Sequence, residues 1–213
     1  MIKTVKKIIS YIMVCVLFLS MCIPCEAAQT STATASDANA TTGFPQITST
    51  SAIIMDAQSG QIIYEKNSHT RQYPASITKI MTTLLALENG NLSDMVTFSD
   101  DAINNTEGSG IARDYGEQMT LEQCLYGVML ESANECAYAV AEHVGGTVEN
   151  FVDMMNAKAK ELGCTNTHFA NPHGLQDENH YTTAHDMALI AQAAYQNETF
   201  PQRCRRCSPT SRR

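Results

Sequence analysis

Pro74-Ala75-Ser76-Ile77-Thr78-Lys79 sets a hydroxyl and an amine three residues apart. The apolar run behind it, Ile80-Met81-Thr82-Thr83-Leu84-Leu85-Ala86-Leu87-Glu88, reads as a buried helix that stops at Asn89-Gly90. Residues at that spacing share a helix face, so Lys79 can reach back toward the Ser76 oxygen. Ser76 falls near the helix N-terminus, where free N–H groups and the dipole favour developing negative charge. A serine hydroxyl is a weak nucleophile without an adjacent base. A desolvated lysine, its pKa lowered from about 10.4, can be that base. The spacing alone also fits an N-capping serine followed by a surface lysine. Against that plainer reading, the helix is apolar on most faces, so a lysine in its first turn faces a pocket or is costly to bury.

A second polar group stands downstream. Ser132-Ala133-Asn134 joins one apolar helical segment, Leu121 to Leu130, to another, Cys136 to Val144. In isolation this is a helix-joining turn with Ser132 or Asn134 as N-cap. In company with Ser76 and Lys79, the same hydroxyl and carboxamide can point into a shared cleft.

These segments resemble the serine-type D-alanyl-D-alanine carboxypeptidases, low-molecular-mass penicillin-binding proteins of the β-lactamase/transpeptidase-like superfamily. The resemblance runs from Pro45 to Phe200. It rests on Ser51-Ala52-Ile53-Ile54-Met55-Asp56-Ala57-Gln58-Ser59-Gly60, on Pro74 through Glu88 and on Ser132-Ala133-Asn134. It continues through Asn171-Pro172-His173-Gly174-Leu175 and Thr182-Thr183-Ala184-His185-Asp186-Met187-Ala188. It implies that Ser76 is the acylated nucleophile and Lys79 its base. Ser132 would relay a proton to the leaving amine, and Asn134 would orient Lys79 and the substrate amide. The implied substrate is a peptidoglycan stem peptide ending in D-Ala-D-Ala, with β-lactams as acylating mimics and no cofactor or metal. The family's third element, a Lys-Thr-Gly strand that docks the substrate carboxylate and adds an oxyanion donor, is absent from these 213 residues, whose last lysine is Lys160.

Export is the expectation from the first residues. Lys3, Lys6 and Lys7 precede an apolar run from Ile8 to Ile23, and Pro24-Cys25-Glu26-Ala27-Ala28 offers small residues for cleavage, so residues 1–28 read as a signal peptide. An uncleaved anchor helix is the rival, although the run barely spans a bilayer. Residues 29–43 are polar, with small side chains, and read as a disordered linker before a partial catalytic domain at 44–202. Residues 203–213 carry five arginines and no acid, and read as an aberrant basic tail. Between Gln29 and Gln202, 6 basic residues face 21 acidic ones, which leaves no basic groove for nucleic acid.

The implied fold is α+β: an antiparallel sheet with flanking helices and a helical subdomain, lacking the C-terminal strands, so that the sheet has an exposed edge. The residues themselves predict a hairpin from Ala52 to Tyr64 around Gln58-Ser59-Gly60, then helices at 76–89, 121–130, 135–144 and 148–162, the last stopped by Gly163. Thr183 and Asp186 predict a capping-box-like start for a helix through Tyr195.

Eight cysteines do not form an evident disulfide framework. Cys124, Cys136 and Cys164 are expected as buried thiols, with a Cys124–Cys136 bridge open, and Cys204-x-x-Cys207 lacks the second pair a zinc site needs. His168, His173, His180 and His185 cluster, but their spacings suit neither a helical ligand pair nor a ligand-bearing turn; Asn171-Pro172-His173-Gly174 reads instead as a rigid turn near the cleft. Two rival functions remain. A β-lactamase needs a carboxylate-activated water, for which no convincing Glu-x-x-x-Asn element is present. A non-catalytic or unstable fragment fits the missing Lys-Thr-Gly.

Overall fold

The computed structural model describes residues 47–200; the expected signal peptide, linker and basic tail lie outside them. A hairpin opens the unit. Strand β1 (Ala52–Met55) pairs antiparallel with β2 (Ile62–Lys66), with an irregularity between Ile54 and Met55. Asp56 builds the turn: its Oδ1 accepts from Ser59 N and Ser59 Oγ, both at 2.7 Å.

A single 3₁₀ turn (Ala75–Thr78) leads into helix α1 (Lys79–Asn89), so the α-helix starts at the lysine, not at the expected Ser76. Pro74, at φ −70°, precedes the turn, and Ala75 takes a left-handed conformation at φ +50°. Helix α1 is the hub of the unit. It packs against four helices: α3 (Leu121–Leu130), α4 (Asn134–Gly145), α5 (Val148–Glu161) and α6 (Ala184–Gln196). Its Met81, Leu84, Leu85 and Ala86 are buried. Each large apolar side chain sealed this way contributes roughly 1.5–3 kcal/mol.

Two apolar clusters flank this hub. One joins Ala86, Val96, Phe98, Leu121, Leu125, Val128 and Val140; the other joins Met81, Leu85, Phe151, Met155, Phe169 and Ile190. Gly90 ends α1 as expected, but in extended conformation at φ −108°. Its smallness matters through packing: a Cβ there would meet Leu121 Cδ2 at 2.5 Å.

Side-chain caps start most of the remaining helices. Thr120 and Gln123 form a full capping box for α3, and Thr147 caps α5 through Asn150 N. Sequence reading missed three short elements: helix α2 (Asp100–Asn104) and the pair β3 (Met95–Thr97) and β4 (Gln118–Thr120). Strands of three residues are too brief to show a period. The sheet is correspondingly small, two separate two-stranded pieces among the described residues, with α6 laid against β1.

Asp186 is structural, as expected, but by a different route. Thr183 Oγ1 accepts from Asp186 N at 3.0 Å, while the Asp186 carboxylate turns away from the cap and accepts from Asn166 N and Thr167 Oγ1, each at 2.8 Å. It thereby ties the loop after α5 to the start of α6. Asp186→Ala should lower stability by about 1–3 kcal/mol, because two part-buried donors lose their acceptor. A urea midpoint unchanged from the parent protein would contradict this.

Candidate active site

Lys79 is only 2 % exposed, so its amine must be satisfied by protein groups. Three acceptors surround it. Nζ lies 2.7 Å from Asn134 Oδ1, 2.7 Å from the His173 carbonyl oxygen and 3.3 Å from Ser76 Oγ. Burial lowers the pKa of this amine to about 8, and the charge of Glu135 opposes part of that shift. Asn134 Oδ1 and the His173 carbonyl can only accept, so in neutral Lys79 they take the two remaining N–H bonds. The lone pair is then free to face Ser76 Oγ, which sits on the exposed side of the 3₁₀ turn. The arrangement can draw the proton from a solvent-facing hydroxyl with an amine that solvent does not reach.

Asn134 does not cap α4. The N-cap is Ala133, without a side-chain cap, and the Asn134 carboxamide spans the cleft: Oδ1 holds Lys79 while Nδ2 donates to the Glu107 carbonyl. Ser132 lies one residue before that cap at φ +56°, a left-handed conformation rare for a non-glycine residue. Its Oγ is buried and has no hydrogen-bond partner among the described residues. The structure therefore brings Ser76, Lys79 and Asn134 into one hydrogen-bonded group, and leaves the Ser132 hydroxyl unpaired.

The turn Asn171-Pro172-His173-Gly174 forms the far wall, and its role is played by backbone. The Pro172 carbonyl accepts from Thr82 Oγ1 at 2.6 Å, which anchors the turn to α1 one position beyond Met81. Gly174 sits at φ +90°, and a Cβ there would collide with the Ala75 carbonyl. Only glycine lets the turn lie this close to the Ser76 backbone.

Glu135 was not singled out from sequence, and His180 only as one of a histidine cluster. Glu135 is buried and accepts from Ile111 N through Oε1, which holds the loop around Gly110 beside Asn134. Its position in the first turn of a helix suggests only a dipole partner, so nothing in the sequence set it apart. His180 is also buried: Nδ1 accepts from Ala170 N at 3.0 Å and Nε2 lies 2.8 Å from Thr78 Oγ1. Burial is the main cause that pushes His180 and His173 down to about 4, so both are neutral at pH 7. His180 Nε2–H accordingly donates to Thr78, next to the catalytic candidate Lys79. His168 and His185 are engaged away from this cleft, with the Asn179 carbonyl and Asp186 respectively, and no group of three His, Cys, Asp or Glu is arranged for a metal among the described residues.

Comparison with known proteins covers the same span. A family model described as D-alanyl-D-alanine carboxypeptidase, peptidase family S11, matches residues 36–207. The chain is 44% identical over 155 residues to D-alanyl-D-alanine carboxypeptidase DacF of Bacillus subtilis, covering 70% of this chain and 40% of that protein. It is 41% identical over 153 residues to DacA of Haemophilus influenzae, covering 68% and 39%. Among solved structures, penicillin binding protein 5 from Haemophilus influenzae superposes with a TM-score of 0.69 at 39% identity, over 73% of this chain and 47% of that one. The carboxypeptidase DacD from Francisella tularensis does so at 0.70 and 37% identity, over 75% and 39%. The chain thus spans about 40% of the length of these curated relatives. Because the matched span takes in every residue gathered around Lys79, the chain belongs to the D-alanyl-D-alanine carboxypeptidase family.

Proposed function

We propose that this chain carries the acylating half of an exported serine carboxypeptidase that acts on peptidoglycan stem peptides ending in D-Ala-D-Ala at the outer face of a bacterial cell, in cell-wall remodelling. The observation that supports this most directly is the buried Lys79 amine within 3.3 Å of Ser76 Oγ while two pure acceptors occupy its other directions. Neutral Lys79 takes the Ser76 proton as Oγ attacks the penultimate D-Ala carbonyl carbon. The Ser76 N–H, at the start of the 3₁₀ turn, faces the developing oxyanion. The peptide C–N bond then breaks, the departing D-Ala amine takes a proton through Ser132, and water releases the acyl group from Ser76. A penicillin would enter by the same attack and remain as the acyl-enzyme.

Fluorescent penicillin should label the protein on Ser76, and Ser76→Ala should abolish the label; labelling that persists in Ser76→Ala removes the assignment. Lys79→Ala should be nearly as damaging, since nucleophile and base act as a unit. The labelling rate should rise with pH and level off above about 8, falling roughly tenfold per unit below it, because only neutral Lys79 can accept the proton. A flat rate between pH 6 and 9 would exclude Lys79 as the base. D-Ala release from a D-Ala-D-Ala peptide should be lost in Ser76→Ala together with the label.

A further inference from the structure

Two thiols outside the site are placed against each other. Cys124 on α3 and Cys136 on α4 are both wholly buried in the first apolar cluster, on facing helices. Gly127 shares the Cys124 face of α3, one turn on, and a Cβ built there would meet Cys136 Sγ at 3.0 Å. The Cys136 side chain therefore lies directly on that face of α3, and the two thiols are close enough to perturb each other's ionisation. Both are free in this structure.

We propose that Cys124 and Cys136 form a built disulfide site, and that an oxidised form of the protein staples α3 to α4 across the Ser132-Ala133-Asn134 corner. The proposal rests on the export reading for its compartment, since disulfides persist where the surroundings are oxidising. Cys164 is not a competing partner. It packs against the other apolar cluster, its thiol donates to the Asp186 carbonyl at 3.5 Å, and burial pushes it up to about 12.

Either thiol can begin the exchange once ionised. It attacks one sulfur of a disulfide-bearing oxidant, RSSR, and expels RS⁻ as a mixed disulfide forms. The other thiol then loses its proton and attacks the protein sulfur of that mixed disulfide, expelling the second RS⁻. Two protein thiols are oxidised by two electrons, RSSR is reduced, and the two protons leave on the two RSH products. With both sulfurs sealed, exchange takes place while the α3–α4 contact is open, before the helices dock. Once they close, the bridge is shielded from reductant. The closed loop carries Ser132 and Asn134, so the bridge fixes the separation of the two helices that hold the corner.

The test is a peptide map of the full chain. The protein is unfolded, refolded in reduced and oxidised glutathione, alkylated, and cut by a Glu-specific protease, which severs the chain at Glu131 and Glu135 between the two cysteines. The expected product is a cross-linked pair of peptides bearing Cys124 and Cys136, 2 Da lighter than the two free peptides together and split by dithiothreitol. The oxidised form should melt about 6–12 °C above the reduced form, and Cys136→Ala should abolish that difference. Complete alkylation of both cysteines, a lasting glutathione adduct on one of them, or a bridge from either to another cysteine would overturn the proposal. Penicillin labelling measured in parallel reports on Ser76 alone, so failure of the carboxypeptidase reading and failure of the bridge are seen separately.

Discussion

An ammonium-bearing side chain taken out of water is the constraint on which this unit is arranged. Lys79 stands at the first position of the most buried helix, where an unpaired charge would cost several kcal/mol. The acceptors that satisfy it come from distant parts of the chain, Asn134 from the start of α4 and the His173 carbonyl from the loop before α6. Each therefore has to be brought to the amine by packing. Thr82 and Gly174 hold the 171–174 turn against α1, and Glu135 holds the loop beside Asn134. The cleft exists because those two approaches meet at one nitrogen.

Partial satisfaction is what makes the amine chemically useful. Were it fully exposed, Lys79 would stay protonated at neutral pH; were it paired closely with a carboxylate, its pKa would rise. Neutral acceptors fix its position without adding charge, and Glu135 acts only through space, so burial prevails and the pKa falls to about 8. Backbone strain accompanies this arrangement. Ala75 and Ser132 both take left-handed conformations, each next to a group with a role in the cleft, and the surrounding helices hold them there. An unpaired Ser132 hydroxyl is a further cost, tolerable in a site where a substrate group would complete the bond.

Much of this was legible in the residues. The apolar run after Lys79, the cap-like Thr183 and the Gln58-Ser59-Gly60 turn place the major helices and the hairpin within a few positions. The pairing of Ser76 with Lys79 follows from their spacing. What escaped was short or was carried by backbone. Strands β3 and β4 are three residues each, and the acceptor from His173 is a carbonyl that every residue possesses. Glu135 and His180 look in sequence like surface and cluster residues; burial alone distinguishes them.

The sequence by itself determined the local order: which segments are helical, where they start and stop, and which polar residues stand beside apolar runs. These follow from short-range physics, namely periodicity, capping and turn chemistry. It also carried the family likeness, through several separated segments in one order. The tertiary structure decided which of those polar residues meet. That Asn134 abandons its cap to hold an amine 55 positions earlier depends on desolvation and packing between distant segments. So does the distinction between a surface lysine and a base, because the pKa of Lys79 is set by what covers it, and no residue near it in sequence provides that cover.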